Sequence, residues 1–173
     1  MGPHVVTATQ PPDRRCSERC DGVSCLETMA APTLTAPLQS RAEAFAAIAL
    51  AAVVCDGQLD ALEARGLRQQ LEFRNPFRTM SDGAMAALLD RLLAVVRDQG
   101  CDALVAEAVP LLEGDQRETM LAVAAMLTQA DHIETGAEHQ FLEGLAQQLA
   151  IPAQRAAVIM EVIALLNSDS LAG

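Results

Sequence analysis

The spacing of apolar residues predicts helices throughout residues 38–173. Apolar side chains recur there every three or four positions, and no segment alternates with the two-residue period of a strand. In the first helix this period places Phe45, Ile48, Ala49, Ala52 and Val53 on one face. Seven such segments follow one another along the chain. The pattern therefore predicts an all-α fold, a compact bundle of about seven helices.

Glycine, proline and capping residues mark the ends of these helices. Breaks are expected at Gly57, at Asn75-Pro76, at Gly100 and near Gly114, while Pro152 suits the first turn of the seventh helix. The sequence also predicts a buried stripe on that last helix, made of Val158, Ile159, Val162, Ile163 and Leu166.

Two segments 75 positions apart carry a similar pattern. In residues 56–63 and in residues 131–138, an alanine-rich helix runs into an aspartate, and a glutamate seven positions later opens the next apolar segment. Superposing the segments pairs Asp56 with Asp131 and Glu63 with Glu138. The sequence therefore predicts a pseudo-duplicated helix–turn–helix, in which helices one and two correspond to helices five and six.

Composition and charge narrow the classes of function. Half of the chain is apolar, there is no Trp or Tyr, and the net charge is −11. This charge disfavours nucleic acids and anionic lipid surfaces, and it favours cations or basic protein partners. The longest apolar run, residues 44–55, is too short to cross a bilayer, and the first residues lack the apolar core of a secretory signal. We expect a cytoplasmic protein without direct membrane insertion.

Residues 1–37 are rich in Pro, Thr and charge and show no helical period, which predicts a disordered extension before a helical domain of residues 38–173. The spacing of Cys16, Cys20 and Cys25 matches no standard zinc or redox motif. Translation could also start at Met29 instead of Met1, and the protein would then lack all three cysteines.

Helix capping explains part of the acidic pattern at the two corners. Asp60 with Glu63 and Thr135 with Glu138 have capping-box spacing, as does Asp115 with Glu118 at the start of the fifth helix. Each cap contributes about 1 kcal/mol, which is reason enough for this spacing without any ligand.

Capping does not explain Asp56 and Asp131, which fall where a helix ends and where its dipole disfavours a negative charge. A basic side chain, a turn amide or a cation would compensate. Hard cations such as Ca²⁺ and Mg²⁺ bind clustered carboxylates, although the loop is too short for an EF-hand. The candidate ligands are Asp56, Asp60 and Glu63 at the first corner and Asp131, Glu134 and Glu138 at the second.

Other chemistry has weaker support. His132, His139 and Glu143 have spacing that would suit a transition metal, but exposed histidines at a helix start are commoner. The chain has no HExxH, GxSxG, Walker A or GxGxxG motif, and Cys101 is expected to pack as a small hydrophobe. An enzyme is the weakest interpretation.

Residues 45–166 resemble the tellurite-resistance TerB family, which is related to the amino-terminal domain of membrane-anchored DnaJ-like co-chaperones. The similarity lies in Val53-Val54-Cys55-Asp56-Gly57 with Leu59 and Glu63, and in Gln129-Ala130-Asp131 with Glu138, Phe141 and Leu142. The stretch of residues 145–151 also resembles the end of the family's sixth helix.

The resemblance implies a compact helical domain linked to tellurite and other stress responses. It also implies metal binding through Asp56, Glu63, Asp131 and Glu138, within larger assemblies near the inner membrane. His132 departs from the glycine that the family has after the second aspartate. The expected function is therefore a non-enzymatic, cation-binding stress-response protein. The alternative is a metal-free helical adaptor that binds a protein partner.

Overall fold

Seven α-helices make up most of the computed structural model, which describes residues 37–55, 59, 61–129 and 136–168. All of these residues belong to one compact unit, Thr33–Gly173. The helices are α1 Arg41–Val53, α2 Ala61–Glu72, α3 Asp82–Gln99, α4 Cys101–Ala108, α5 Asp115–Thr128, α6 Gly136–Gln148 and α7 Ala153–Asn167. Short 3-10 turns follow α2 at Phe77–Thr79 and α4 at Val109–Leu111. The described part of the chain contains no strand, so the predicted all-α fold of seven helices is confirmed.

Local capping explains where several helices begin and end. The Ser40 hydroxyl accepts a hydrogen bond from the Glu43 amide at 3.1 Å, and the Ser81 hydroxyl accepts one from the Ala84 amide at 3.3 Å. These bonds satisfy first-turn amides that have no partner inside the helix. Gly100 separates α3 from α4 with a φ of +89°, a conformation that favours glycine. The predicted break at this residue is therefore correct.

The start of α5 differs from the predicted capping box. Gly114 occupies the N-cap position with a φ of +46°, and Asp115 is already the first helical residue. The Gln116 side chain accepts a hydrogen bond from the Glu113 amide instead, and Glu118 pairs with Arg155 of α7 at 2.7 Å. The predicted pairing of Asp115 with Glu118 was wrong because glycine supplies the left-handed residue that turns the chain into this helix.

The first helix lies at the centre of the bundle. Every residue from Ala44 to Val54 is buried, so α1 buries all of its faces and not only the one face predicted. It packs against α2, α3, α4, α5 and α6. Alanine makes this arrangement possible, because its small side chain lets neighbouring backbones approach closely on several sides.

Within the part of the chain that the structure describes, the last helix has neighbours on one side only. It packs on α5 and α6, which bury Ala156 and Ile163. Val158, Val162 and Leu166, which the sequence predicts to be buried, are exposed together with Leu165. This part of the predicted core was wrong, because an apolar period reveals an apolar face but not whether a partner covers it. None of the described helices combines the length and apolar character that a membrane-crossing helix requires.

Candidate functional site

Two of the six predicted cation ligands lie at equivalent positions in the structure. Glu63 is the third residue of α2, and Glu138 is the third residue of α6. Both carboxylates are therefore in the first turn of a helix, where the helix dipole favours negative charge. The predicted correspondence of the two helix starts agrees with this placement.

The other four predicted ligands lie outside the described residues. These are Asp56, Asp60, Asp131 and Glu134. His132 and Thr135 also lie outside them. The distances between the six predicted ligands therefore involve residues outside the described part of the chain. The assignment of all six as cation ligands stays a prediction.

The described flanks of both corners meet at one end of the bundle. Gly66 of α2 lies beside the last turn of α5, where a methyl group added to the glycine would lie 4.0 Å from Leu127 Cδ2. At the end of α1, Val54 lines the same cavity, of about 560 Å³, as Ala137 and Phe141 of α6. The end of α1 therefore adjoins the start of α6, and the end of α5 adjoins α2. The two helix pairs are interleaved at this end.

The opposite ends of α1 and α5 also lie together, which fixes their relative direction. Arg41 in the first turn of α1 binds Glu113, just before α5, at 2.8 Å. The two helices therefore run in the same direction. A parallel pair places the end of α1 and the end of α5 at the same end of the bundle.

Two members of the predicted transition-metal set, His139 and Glu143, lie close together in the structure. His139 Nε2 lies 3.3 Å from Glu143 Oε1, one helical turn away on the exposed side of α6. Among the described residues, no three His, Cys, Asp or Glu side chains are grouped as a metal site requires. The third member of the predicted set, His132, lies outside that part of the chain.

Cys101 is partly buried against the hydrophobic core, as a small apolar residue would be. Its Sγ lies 3.8 Å from the Val54 carbonyl oxygen. Burial, with a smaller contribution from the Asp102 carboxylate, raises the pKa of the Cys101 thiol. A raised pKa keeps the thiol protonated at neutral pH and makes it a poor nucleophile.

A second concave region, which the sequence did not predict, lies at the other end of the bundle. A cavity of about 610 Å³ lies between the first turn of α1, the chain after α2 and the first turns of α5. Phe45, Arg74 and Phe77 are among its lining residues, and the Arg74 guanidinium lies 5.3 Å from the centre of the Phe45 ring. One signal was present in the sequence: Arg74 has no acidic residue three or four positions away on either side.

Comparisons with known proteins give no relative from which a function could be transferred. No protein-family model, no curated protein and no solved structure matches the chain. The resemblance to the TerB family therefore stays a prediction made from the residues at the two corners.

Proposed function

We propose that this chain is a non-enzymatic, cytoplasmic, TerB-like stress-response protein that binds a divalent cation at its acidic corners. The cation ligands are Asp56, Asp60 and Glu63 at one corner and Asp131, Glu134 and Glu138 at the other. The protein acts within a larger assembly of proteins, at the inner membrane, without entering the membrane itself.

The equivalent placement of Glu63 and Glu138 is the observation that carries this proposal. Each glutamate is the third residue of its helix, and the two helix pairs interleave at one end of the bundle. Helix capping alone would require only side chains that accept hydrogen bonds from the first-turn amides of each helix. It would not require an additional aspartate seven positions before each glutamate, where the preceding helix dipole disfavours negative charge.

The chemistry of the six ligands points to the class of cation. All six are carboxylates, and hard cations such as Ca²⁺ and Mg²⁺ prefer oxygen ligands. A cation would also lower the repulsion between acids that lie close together in the sequence. The net charge of −11 raises the local concentration of cations around the whole protein.

Calorimetric titration of the full chain with Ca²⁺, Mg²⁺, Mn²⁺ and Zn²⁺ tests the proposal. We expect saturable binding of Ca²⁺ or Mg²⁺ that weakens by about tenfold or more in an Asp56→Asn/Asp131→Asn variant. The aspartates are chosen because the glutamates also lie in the first turns of helices, where they have a structural role.

A matched control separates a specific site from general attraction to an acidic protein. Asp90 is exposed in the middle of α3, and Asp115 is exposed at the start of α5, which lies beside the start of α1. Asp90→Asn/Asp115→Asn therefore removes the same charge away from the described flanks of the corners. The control variant should bind like the original chain. Equal weakening in both variants, or no binding below millimolar concentrations, would reject the cation site and leave the acids as helix caps.

The exposed side of α7 favours a second candidate, a metal-free adaptor that binds a protein partner. Val158, Val162, Leu165 and Leu166 form what we call the α7 stripe, and they are 44%, 48%, 68% and 71% exposed. Contiguous exposed apolar side chains of this kind are typical of interaction surfaces. The stripe lies on one helix and is long enough to contact a partner helix over two turns.

Charge indicates which partner suits the stripe. The chain carries a net charge of −11, and Glu161 is exposed on α7 within the stripe. The one basic residue of this helix, Arg155, is held by Glu118. A second copy of so acidic a chain would be repelled, whereas an amphipathic helix with basic residues beside its apolar face would be attracted.

A synthetic helix of leucine and lysine tests the adaptor candidate. We expect its affinity to fall by about tenfold or more in a Val162→Ser/Leu165→Ser variant. A Leu62→Ser/Phe73→Ser variant, which loses exposed apolar surface from α2 and its end, should bind the peptide normally. Equal binding by all three proteins would reject the stripe as the docking surface. Sedimentation as a dimer that the α7 variant abolishes would assign the stripe to a second copy instead.

A further inference from the structure

Arg74 differs from the arginines that form ion pairs in this structure. Arg41, Arg68, Arg91 and Arg155 each bind a carboxylate. Arg74 instead donates from Nη1 to the backbone carbonyl and the side-chain oxygen of Gln70, the latter at 3.3 Å. Among the described residues no carboxylate binds its guanidinium. Within that part of the chain, this cation has therefore folded without an acidic partner, although the protein is strongly acidic.

The surroundings of Arg74 make an unpaired charge on its guanidinium unfavourable. The side chain is half-buried and lies over the Phe45 ring. Burial lowers the pKa of Arg74, because desolvation disfavours the charged form. Arginine nevertheless stays protonated in proteins, so the guanidinium keeps its charge in a partly dry environment. Such a charge is stabilised when a counter-charge binds to it.

The hydrogen bonds of Arg74 also determine which donors remain. Nη1 is occupied by Gln70, whereas Nε and Nη2 make no hydrogen bond within the described part of the chain. These two atoms lie on the same edge of the guanidinium and present parallel N–H groups. That spacing matches the two oxygens of a carboxylate, which makes a bidentate pair.

The cavity beside Arg74 adds an apolar environment for the rest of a ligand. Its volume of about 610 Å³ falls within the range of about 300–1,000 Å³ that small-molecule sites occupy. Ala42 and Pro76 contribute accessible apolar surface, and Thr119 and Gln116 contribute polar atoms. The side chains of Phe45, Phe77 and Leu112 are buried behind this surface. Arg41 also lines the cavity, but its guanidinium is bound to Glu113. Arg74 is therefore the lining cation that remains open to a ligand.

We propose that this cavity binds a small organic carboxylate whose apolar body packs on Ala42 and Pro76 and whose carboxylate pairs with Nε and Nη2 of Arg74. A single open guanidinium edge suits a planar monoanion better than a phosphate, which is usually surrounded by several donors. Glu113 near the cavity and the net charge of −11 disfavour multiply charged ligands. The site shares no lining residue with the predicted acidic corners.

Benzoate and its neutral relative benzamide test this proposal on the full chain. The two probes share a ring and a planar head group, but only benzoate carries charge. We expect the affinity for benzoate to be at least about tenfold higher than the affinity for benzamide. Benzoate should also shift the ¹H–¹⁵N resonance of Arg74 Nε, and the Nε resonance of Arg78 should not move. Arg78 is the matched control because it is exposed, lies one turn further along the chain and is not among the residues that line the cavity.

Variants provide the second measurement. Arg74→Gln should weaken benzoate binding to the level of benzamide, whereas Arg78→Gln should leave it unchanged. Far-UV circular dichroism establishes whether Arg74→Gln is folded; if it is not, the Arg74 Nε resonance of the original chain decides the question. Equal affinity for benzoate and benzamide would overturn the proposal. So would an unmoved Arg74 Nε resonance, or inorganic phosphate or an acidic peptide that binds more tightly than benzoate.

Discussion

An Ala49→Asp chain is expected not to fold at neutral pH. Ala49 is fully buried in α1, the helix that contacts five other described helices. An aspartate there would bring a charge and two hydrogen-bonding oxygens into a region lined by apolar side chains. Burying an unpaired charge is unfavourable by several kcal/mol, and the carboxylate would also need space that α1 does not have. The total stability of a domain is about 5–15 kcal/mol, so this single change removes most or all of it.

Ala157→Asp is the matched control for this prediction. Ala157 is an exposed residue inside α7, so the same change in helix propensity and net charge occurs there without burial. Circular dichroism at 222 nm and thermal unfolding compare the two variants. We expect a cooperative transition close to that of the original chain for Ala157→Asp, and no cooperative transition for Ala49→Asp. A folded Ala49→Asp chain of normal stability would show that α1 is not the centre of the core.

The central position of α1 could be predicted only in part from the sequence. The helical period and the breaks at Asn75-Pro76 and Gly100 correctly locate the helices, because glycine, proline and capping residues act through the local backbone. Alanine is a weaker guide, because it is both a good helix former and indifferent to burial. Its packing on all sides is a property of the assembled bundle.

Of the candidate sites, one could be predicted from the sequence and the other could not. The acidic corners are visible in the sequence because Asp56 and Glu63 are close in the chain and recur 75 positions later. The cavity at Arg74 is not visible, because its walls come from three separate parts of the chain. Sequence spacing reveals what lies on one turn or one helix face. It does not reveal which distant elements enclose a space.

The α7 stripe shows that sequence spacing also does not reveal which apolar residues become buried. Two leucines allow a direct comparison. Leu121 of α5 and Leu166 of α7 are both leucines that recur with the helical period of their segments. In the structure Leu121 is 0% exposed and Leu166 is 71% exposed. Leu121→Ala removes buried atoms and leaves a cavity, which lowers the free energy of unfolding by about 2–5 kcal/mol. Leu166→Ala removes atoms that already contact solvent, so its effect should stay within about 0.5 kcal/mol.

Urea unfolding of both variants measures this difference, since the midpoint reports stability when the slope is unchanged. The result also bears on the two candidate functions. A small effect at Leu166 establishes that the outer side of α7 does not support the isolated fold and is available to a partner. A loss of 2 kcal/mol or more at Leu166, about that of a buried leucine, would mean that the stripe is covered in the isolated protein. The adaptor would then lose its docking surface, whereas the cation site and the carboxylate cavity would stand unchanged, because neither uses α7.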